Sequence, residues 1–437
     1  MDHNSQSDWE KREERKRRRK KNQISAYITL LVMIAVVAAG IVLGVKVITG
    51  MSREKPEGGQ QSLVDEMLGT EETIQQSEPV ETIPELTDEQ KLDEIVNAGI
   101  EVMPIEDKVA GLFLVTPESI TGVTAAVQAG DGTREALAKY AVGGIVYFSK
   151  NIQSKEQLTE LIDNTQLYTK YPLFIAVDEE GGSVSRIADS GIAAKVDSAQ
   201  VIGQTADASN AYAAGASIGA YLSELGFNLD FAPVADLANV ESSVMAGRSY
   251  GADAASASPF VTSMIQGLKD QKVTACMKHF PGIGSTTTDT HDGLAVSNRT
   301  AEEFRAEEFA VFQAGIDAGA DMVMVGHMAA PSLVGDNTPC CMSEEVVTNI
   351  LRNELNFKGV IITDAMNMSA ISEYYDADEA AIRALKAGCD MILMPEDFEK
   401  AYTGVLQAVQ NGTISEERIN DSLRRIYRIK YADKIAQ

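Results

Sequence analysis

Several things are scarce in this chain of 437 residues. It holds four cysteines, one tryptophan and four histidines. So few cysteines over that length exclude a disulfide scaffold. No C-x-x-C pair occurs, Cys340 and Cys341 are adjacent, and Cys276 and Cys389 sit in apolar runs. With only His3, His279, His291 and His327 to add, a zinc ion would find few ligands. Positive charge is scarce as well: 38 Lys and Arg face 64 Asp and Glu, a formal charge of −26. A nucleic-acid partner wants a basic face, so none is expected for the folded part. No G-x-G-x-x-G follows the first strand-like run and no G-x-x-x-x-G-K-[ST] appears, which disfavours a nucleotide-binding α/β fold. Apolar residues are plentiful at 44%, enough for a large core, and global disorder is excluded.

The charge is unevenly placed. Residues 1–23 carry nine Lys and Arg against five Asp and Glu, a net of +4. Residues 24–45 form a run of 22 without a charge. A helix of that length covers roughly 33 Å, enough to cross a hydrocarbon core of about 30 Å. With the basic block in front, a membrane span with a cytoplasmic N-terminus is expected, and everything beyond it lies outside. A cleavable signal peptide shares the basic flank, and Ala38-Ala39-Gly40 keeps that alternative open, but its apolar region is typically about 7–15 residues. Residues 51–104 hold three basic and fourteen acidic residues. That composition, with no sustained apolar period, predicts a solvated acidic linker over 46–104. A tethered module, 105–437, would follow.

From residue 105 on, short β-branched runs alternate with longer amphipathic stretches. The runs are Val109–Thr116, Gly143–Phe148, Leu173–Asp178, Phe227–Val234, Val273–His279, Met322–Gly326, Val360–Asp364 and Met391–Met394. Helical patterns lie between them, among them Lys155–Tyr168, Ala211–Leu225, Pro259–Gln271, Ala301–Ala318, Glu344–Leu355 and Ala377–Ala387. Apolar strands alternating with helices predict a parallel sheet covered on both faces. Eight such units predict an α/β fold of the (β/α)8, TIM-type barrel class in a single domain. Chemistry in such a barrel belongs at the C-terminal ends of the strands. Asp178, Lys278 with His279, His327 and Asp364 all close strand-like runs, while Asp230 lies within the fourth and Asp236 just past it.

Each candidate has a plain reading beside a chemical one. Asp364 closes Val-Ile-Ile-Thr-Asp and is a nucleophile or base at a barrel mouth, or else a helix N-cap. Asp289-Thr290-His291 follows a Pro-Gly-x-Gly turn; the carboxylate can hold one ring nitrogen and leave the other to shuttle a proton, or the pair is a bare surface loop. Asp178-Glu179-Glu180-Gly181-Gly182 leads to Arg186, with glycines that let the backbone approach a ligand. Three acidic residues in a row raise a metal site, but hard cations need more oxygen ligands than these. Arg248, in Gly-Arg-Ser-Tyr-Gly, is a second cation for a ligand or half of an exposed salt bridge.

Taken together, Lys278-His279-Phe280-Pro281-Gly282-x-Gly284 with the downstream Asp289-x-His291 resembles glycoside hydrolase family 3, in its β-N-acetylglucosaminidase branch. Asp178-x-Glu-Gly-Gly-x-Val-x-Arg186, Phe231-Ala-Pro-Val-x-Asp236, Arg248-Ser-Tyr and Thr-Asp364-Ala-Met-Asn-Met support the likeness, in the family's order, over about 105–437. The resemblance implies retaining hydrolysis of terminal β-linked N-acetylglucosamine. Asp364 would be the nucleophile and His291, steered by Asp289, the acid–base group. Asp178, Arg186, Arg248, Lys278 and His279 would hold the sugar. No cofactor and no metal is implied.

Two positions depart from the family pattern. Glu179 stands where Gln is usual, adding charge beside Asp178, and Ile283 replaces the second His of Pro-Gly-His-Gly. Neither has an assigned chemical role, so both bear on substrate preference. With the sequence ending at Gln437, a second domain of the kind common among the family's β-glucosidases is not expected. The expectation is a membrane-anchored exo-acting β-N-acetylhexosaminidase working on cell-wall muropeptide fragments outside the cytoplasm. A β-glucosidase, a β-xylosidase or a phosphorylase of the same family remains open. So does an inactive membrane-tethered sugar-binding protein, although such a protein has no use for Asp364, Asp289 and His291 together.

Overall fold

A computed structural model describes residues 86–432 apart from residue 292. The expected basic tail, membrane span and most of the acidic linker lie outside the described residues. Among the described residues no helix is long and apolar enough to cross a membrane.

The described residues form ten strands, and eight of them close a parallel barrel. In chain order they are β1 (Phe113–Val115), β2 (Gly144–Val146), β3 (Phe174–Val177), β4 (Glu179–Gly181), β5 (Val184–Ser185), β6 (Leu229–Asp230), β7 (Thr274–Phe280), β8 (Met322–Val325), β9 (Val360–Ala365) and β10 (Met391–Leu393). The barrel order is β1-β10-β9-β8-β7-β6-β3-β2, and β4 with β5 forms a separate hairpin at the end of β3. Every one of the eight strand-like runs supplies a barrel strand. Burial on both faces explains why they read as continuous apolar runs rather than as alternation.

Two strand runs are markedly shorter than the sequence suggests, and one helical pattern is divided. Val109 and Ala110 end the helix Ile105–Ala110, so β1 starts only at Phe113. The fourth run is strand only over Leu229–Asp230, with Val234 rejoining through a single bridge to Lys278; Pro233 has no N–H to extend the ladder between them. The helical pattern at 301–318 breaks at Glu307 into Ala301–Ala306 and Glu308–Asp317. The helices Lys155–Tyr168 and Ala377–Ala387 match their patterns residue for residue.

The acidic linker needs a larger correction. Its last part, Asp88–Glu101, is a helix opened by a Thr87–Gln90 capping box, with Val96 and Ile100 buried. It docks on the helix Glu416–Tyr431, where Arg428 donates to Asp93 Oδ1 at 2.5 Å and to Glu89 Oε1 at 2.6 Å. Arg424 Nε adds a bond to Asn97 Oδ1 at 2.9 Å. Those acidic side chains face arginines more than 300 positions away, so what composition presents as solvated charge is an interface.

Candidate active site

The C-terminal ends of the strands surround a cavity of about 520 Å³, within the roughly 300–1,000 Å³ usual for small-ligand sites. Asp178, just past β3, and Lys278, near the end of β7, meet at its wall: Lys278 Nζ donates to Asp178 Oδ1 at 2.6 Å. The same ammonium lies 2.7 Å from Glu180 Oε1. Arg248 grips Glu180 with both prongs of its guanidinium, Nε at 2.8 Å and Nη2 at 2.6 Å. This is a buried pairing with a carboxylate only 5% exposed, not an exposed salt bridge. Burial would raise the Glu180 carboxyl, but Lys278 and Arg248 outweigh it and pull it down to about 2. Burial would likewise lower the Lys278 ammonium, yet Asp178 and Glu180 hold it above its ordinary value.

Strand alternation separates the three consecutive acids. Glu179 turns away from the cavity, fully buried, and accepts from the Ile187 and Ala188 amides at the start of the helix Arg186–Asp189 and from the Tyr221 hydroxyl. The expected extra charge beside Asp178 is therefore spent on a helix N-terminus, where an anion is favoured. Asp178 and Glu180 both meet the Lys278 ammonium, and Glu180 also takes the Arg248 guanidinium, while Glu179 points elsewhere. Gly182 lets the hairpin tuck in: its φ is +61°, and a Cβ there would sit 2.5 Å from the Ser198 Cβ. Asp230 lies deeper and accepts the Glu179 amide, and burial pushes its carboxyl well above the usual carboxylate range.

His279 is oriented from below. Its Nδ1–H donates to Asp236 Oδ2 at 2.7 Å, and Asp236 also accepts the His279 and Ile283 amides. Asp364 lines the cavity at the end of β9, its Oδ1 accepting the Ala365 amide at 2.8 Å. The next helix, Ser369–Ser372, starts too far along for Asp364 to cap it. Burial would raise the Asp364 carboxyl, but His279, His327, the Ala365 amide and Lys278 together hold it below the usual carboxylate range. His327 is fully buried; its Nε2–H donates to the Ala365 carbonyl and its Nδ1 faces the Cys341 thiol at 3.2 Å. A carbonyl only accepts, so His327 carries a proton on Nε2, and with it braces the strand end that presents Asp364.

Asp289 and His291 complete the cavity wall. Asp289 Oδ1 takes the His291 amide at 2.9 Å and its Nδ1–H at 2.8 Å. That bond fixes the tautomer and leaves Nε2 to exchange a proton. Both side chains are exposed, His291 at 70%. The loop tip is tied across the mouth by Ala370 N–H to the Thr290 carbonyl at 3.3 Å, which links it to the segment following Asp364. Arg186 faces the same cavity with Nε buried and without a partner among the described residues. Such an unmet donor costs on the order of 1–3 kcal/mol until a ligand accepts from it.

All eight sequence candidates thus line one cavity. Sequence reasoning passed over Glu180, which organises both cations, and gave Asp236 no role though it stands in a quoted motif.

Residues 104–429 match the model of the glycosyl hydrolase family 3 N-terminal domain. The chain belongs to glycoside hydrolase family 3. A β-hexosaminidase of Idiomarina loihiensis is 34% identical over 294 residues, covering 66% of this chain and 88% of that protein. β-Hexosaminidase A of Pseudoalteromonas piscicida is 28% identical, and the match spans 68% of this chain but 54% of the relative. Among solved structures, a family 3 β-N-acetylglucosaminidase from a Paenibacillus species superposes with a TM-score of 0.72 at 33% identity, covering 77% of this chain and 64% of that one.

Proposed function

We propose that this family member is a retaining exo-β-N-acetylhexosaminidase that removes terminal β-linked N-acetylglucosamine. One observation carries the reading: a carboxylate kept ionised at a strand end and an aspartate-held imidazole line the same sugar-sized cavity. Asp364 attacks the anomeric carbon while protonated His291 gives its proton to the departing oxygen, leaving a glycosyl ester on Asp364. Neutral His291 then takes a proton from water as that water displaces the ester, so two inversions give retention. Asp289 stabilises the imidazolium and keeps Nε2 available. Asp178, Arg186, Arg248, Lys278 and His279 hold the sugar hydroxyls, with Arg186 Nε supplying a donor that has no partner among the described residues.

The uncharged run at 24–45 behind its basic block supports a membrane tether with the barrel outside the cytoplasm. Muropeptide fragments of the cell wall are the substrates that fit this placement. Protease added to intact cells should remove the barrel; full protection would overturn the tether. Aryl β-glycosides test the activity. The N-acetylglucosaminide should be hydrolysed at least about tenfold faster than the glucoside or xyloside, because a site built on hydrogen bonds rejects analogues that lack them. Equal rates would overturn the substrate assignment, and a sugar 1-phosphate formed in phosphate buffer would make the chain a phosphorylase.

A further inference from the structure

Glu308 is a buried charge that the site chemistry leaves unused. It opens the helix Glu308–Asp317, directly after the break at Glu307, and is 1% exposed. Its Oε1 accepts from Asn239 Nδ2 at 2.7 Å and lies 3.0 Å from Arg299 Nε. Its Oε2 is buried with no partner among the described residues. Burial pushes this carboxyl up to about 7, against the opposing pull of Arg299 and Asn239 and with Glu307 adding to the rise. So costly a group in an otherwise apolar helix start calls for a reason.

Its neighbours supply one. Gly282, at φ +123°, packs so closely that a Cβ there would lie 2.5 Å from the Glu308 Cγ. Gly282 is one root of the segment that carries Asp289 and His291, and Arg299 is the other. Between those roots the segment is pinned further by Ser285 Oγ to Ser297 Oγ at 2.7 Å and by the Ser297 amide to the Ala329 carbonyl at 2.9 Å. Asn239 brings in the loop beyond β6. Glu308 is where these pieces meet beneath the barrel mouth, whereas the dyad they support stands in solvent.

We propose that Glu308 is a positioning residue of the acid–base loop, tying its two roots, Gly282 and Arg299, so that His291 is held where the leaving oxygen departs. This rests on the reading of His291 as the acid–base group. A misplaced proton donor harms reactions that need it most, those with poor leaving groups.

The experiment measures kcat/KM for an N-acetylglucosaminyl disaccharide and for the 4-nitrophenyl N-acetylglucosaminide, using the full chain. His291→Ala should slow the disaccharide far more than the aryl substrate. Glu308→Gln should show the same pattern more weakly, about tenfold on the disaccharide and within about twofold on the aryl substrate, a fraction of the ~10²–10⁴ that acid–base catalysis contributes. Added to His291→Ala, Glu308→Gln should cost little more, since both act through one group. Arg299→Gln releases the second root alone, and it should reproduce the split even if Glu308→Gln fails to fold. Equal slowing of both substrates, no slowing, or full additivity with His291→Ala would overturn the proposal. No split in His291→Ala would remove the acid–base reading and this inference with it; a split there without one in Glu308→Gln or Arg299→Gln removes Glu308 alone.

Discussion

The two ends of the barrel treat charge in opposite ways. Below the strands, Asp390 is fully buried and both its oxygens are fully engaged. Oδ2 accepts from Arg352 at 2.6 Å and from the Ile361 amide at 2.9 Å, and Oδ1 from Ser422 at 2.7 Å and Arg425 at 3.1 Å. Lys430 likewise donates to the Gly143 carbonyl at 2.6 Å and lies over the rings of Phe174 and Tyr427. At the mouth, Arg186 Nε is buried without a partner among the described residues and the Asp289–His291 pair projects into solvent. A closed set of partners holds a fold together. An open set waits for a ligand, and Arg186 holds its unmet donor where a sugar would meet it.

Substitutions can break that contrast. The largest effect belongs to the mouth: Asp364→Asn should cut turnover by at least about 10⁴ while the unfolding midpoint stays put and sugar binding survives. Asp390→Ala should do the reverse. Leaving Arg352, Arg418 and Arg425 around an empty position costs roughly 3–5 kcal/mol by denaturant titration, with kcat per folded molecule unchanged. A drop in activity beyond the loss of folded protein would blur the division between the ends.

Arg186→Met sharpens the comparison. It should raise KM roughly 10–100-fold with the midpoint unchanged or higher, because an unsatisfied donor is removed from the free enzyme. Glu308 gives the smallest effect. Its folded-state pKa of about 7 lies above its ordinary 4.5, so the native state binds the proton more tightly. That contribution is complete below the unfolded value and is lost as pH rises through about 7. Glu308→Gln removes the slope, and its stability relative to the parent should rise by roughly 1–3 kcal/mol between pH 5 and pH 8 in paired melting curves.

The barrel was legible because buried parallel strands advertise themselves as β-branched runs, and the polar residues closing those runs marked the mouth. Other features were hidden for physical reasons. The helix Asp88–Glu101 reads as linker because the arginines that neutralise its acidic side chains lie at the far end of the sequence. Glu179 and Glu180 are alike as letters, and only the direction of the backbone leaving β3 decides which meets Lys278 and which caps a helix. Glu308 carries no local signal at all: a Glu in an amphipathic pattern reads as solvated face, and its burial depends on Gly282 and Arg299 from other segments.

The most direct test asks where the sugar becomes attached. Incubation with a fluorinated N-acetylglucosaminyl fluoride, which slows breakdown of a glycosyl ester, followed by peptide mass mapping should place one sugar on Asp364. An adduct on another side chain, or turnover with inverted product and no adduct, would contradict a nucleophile and an acid–base pair acting across this one cavity.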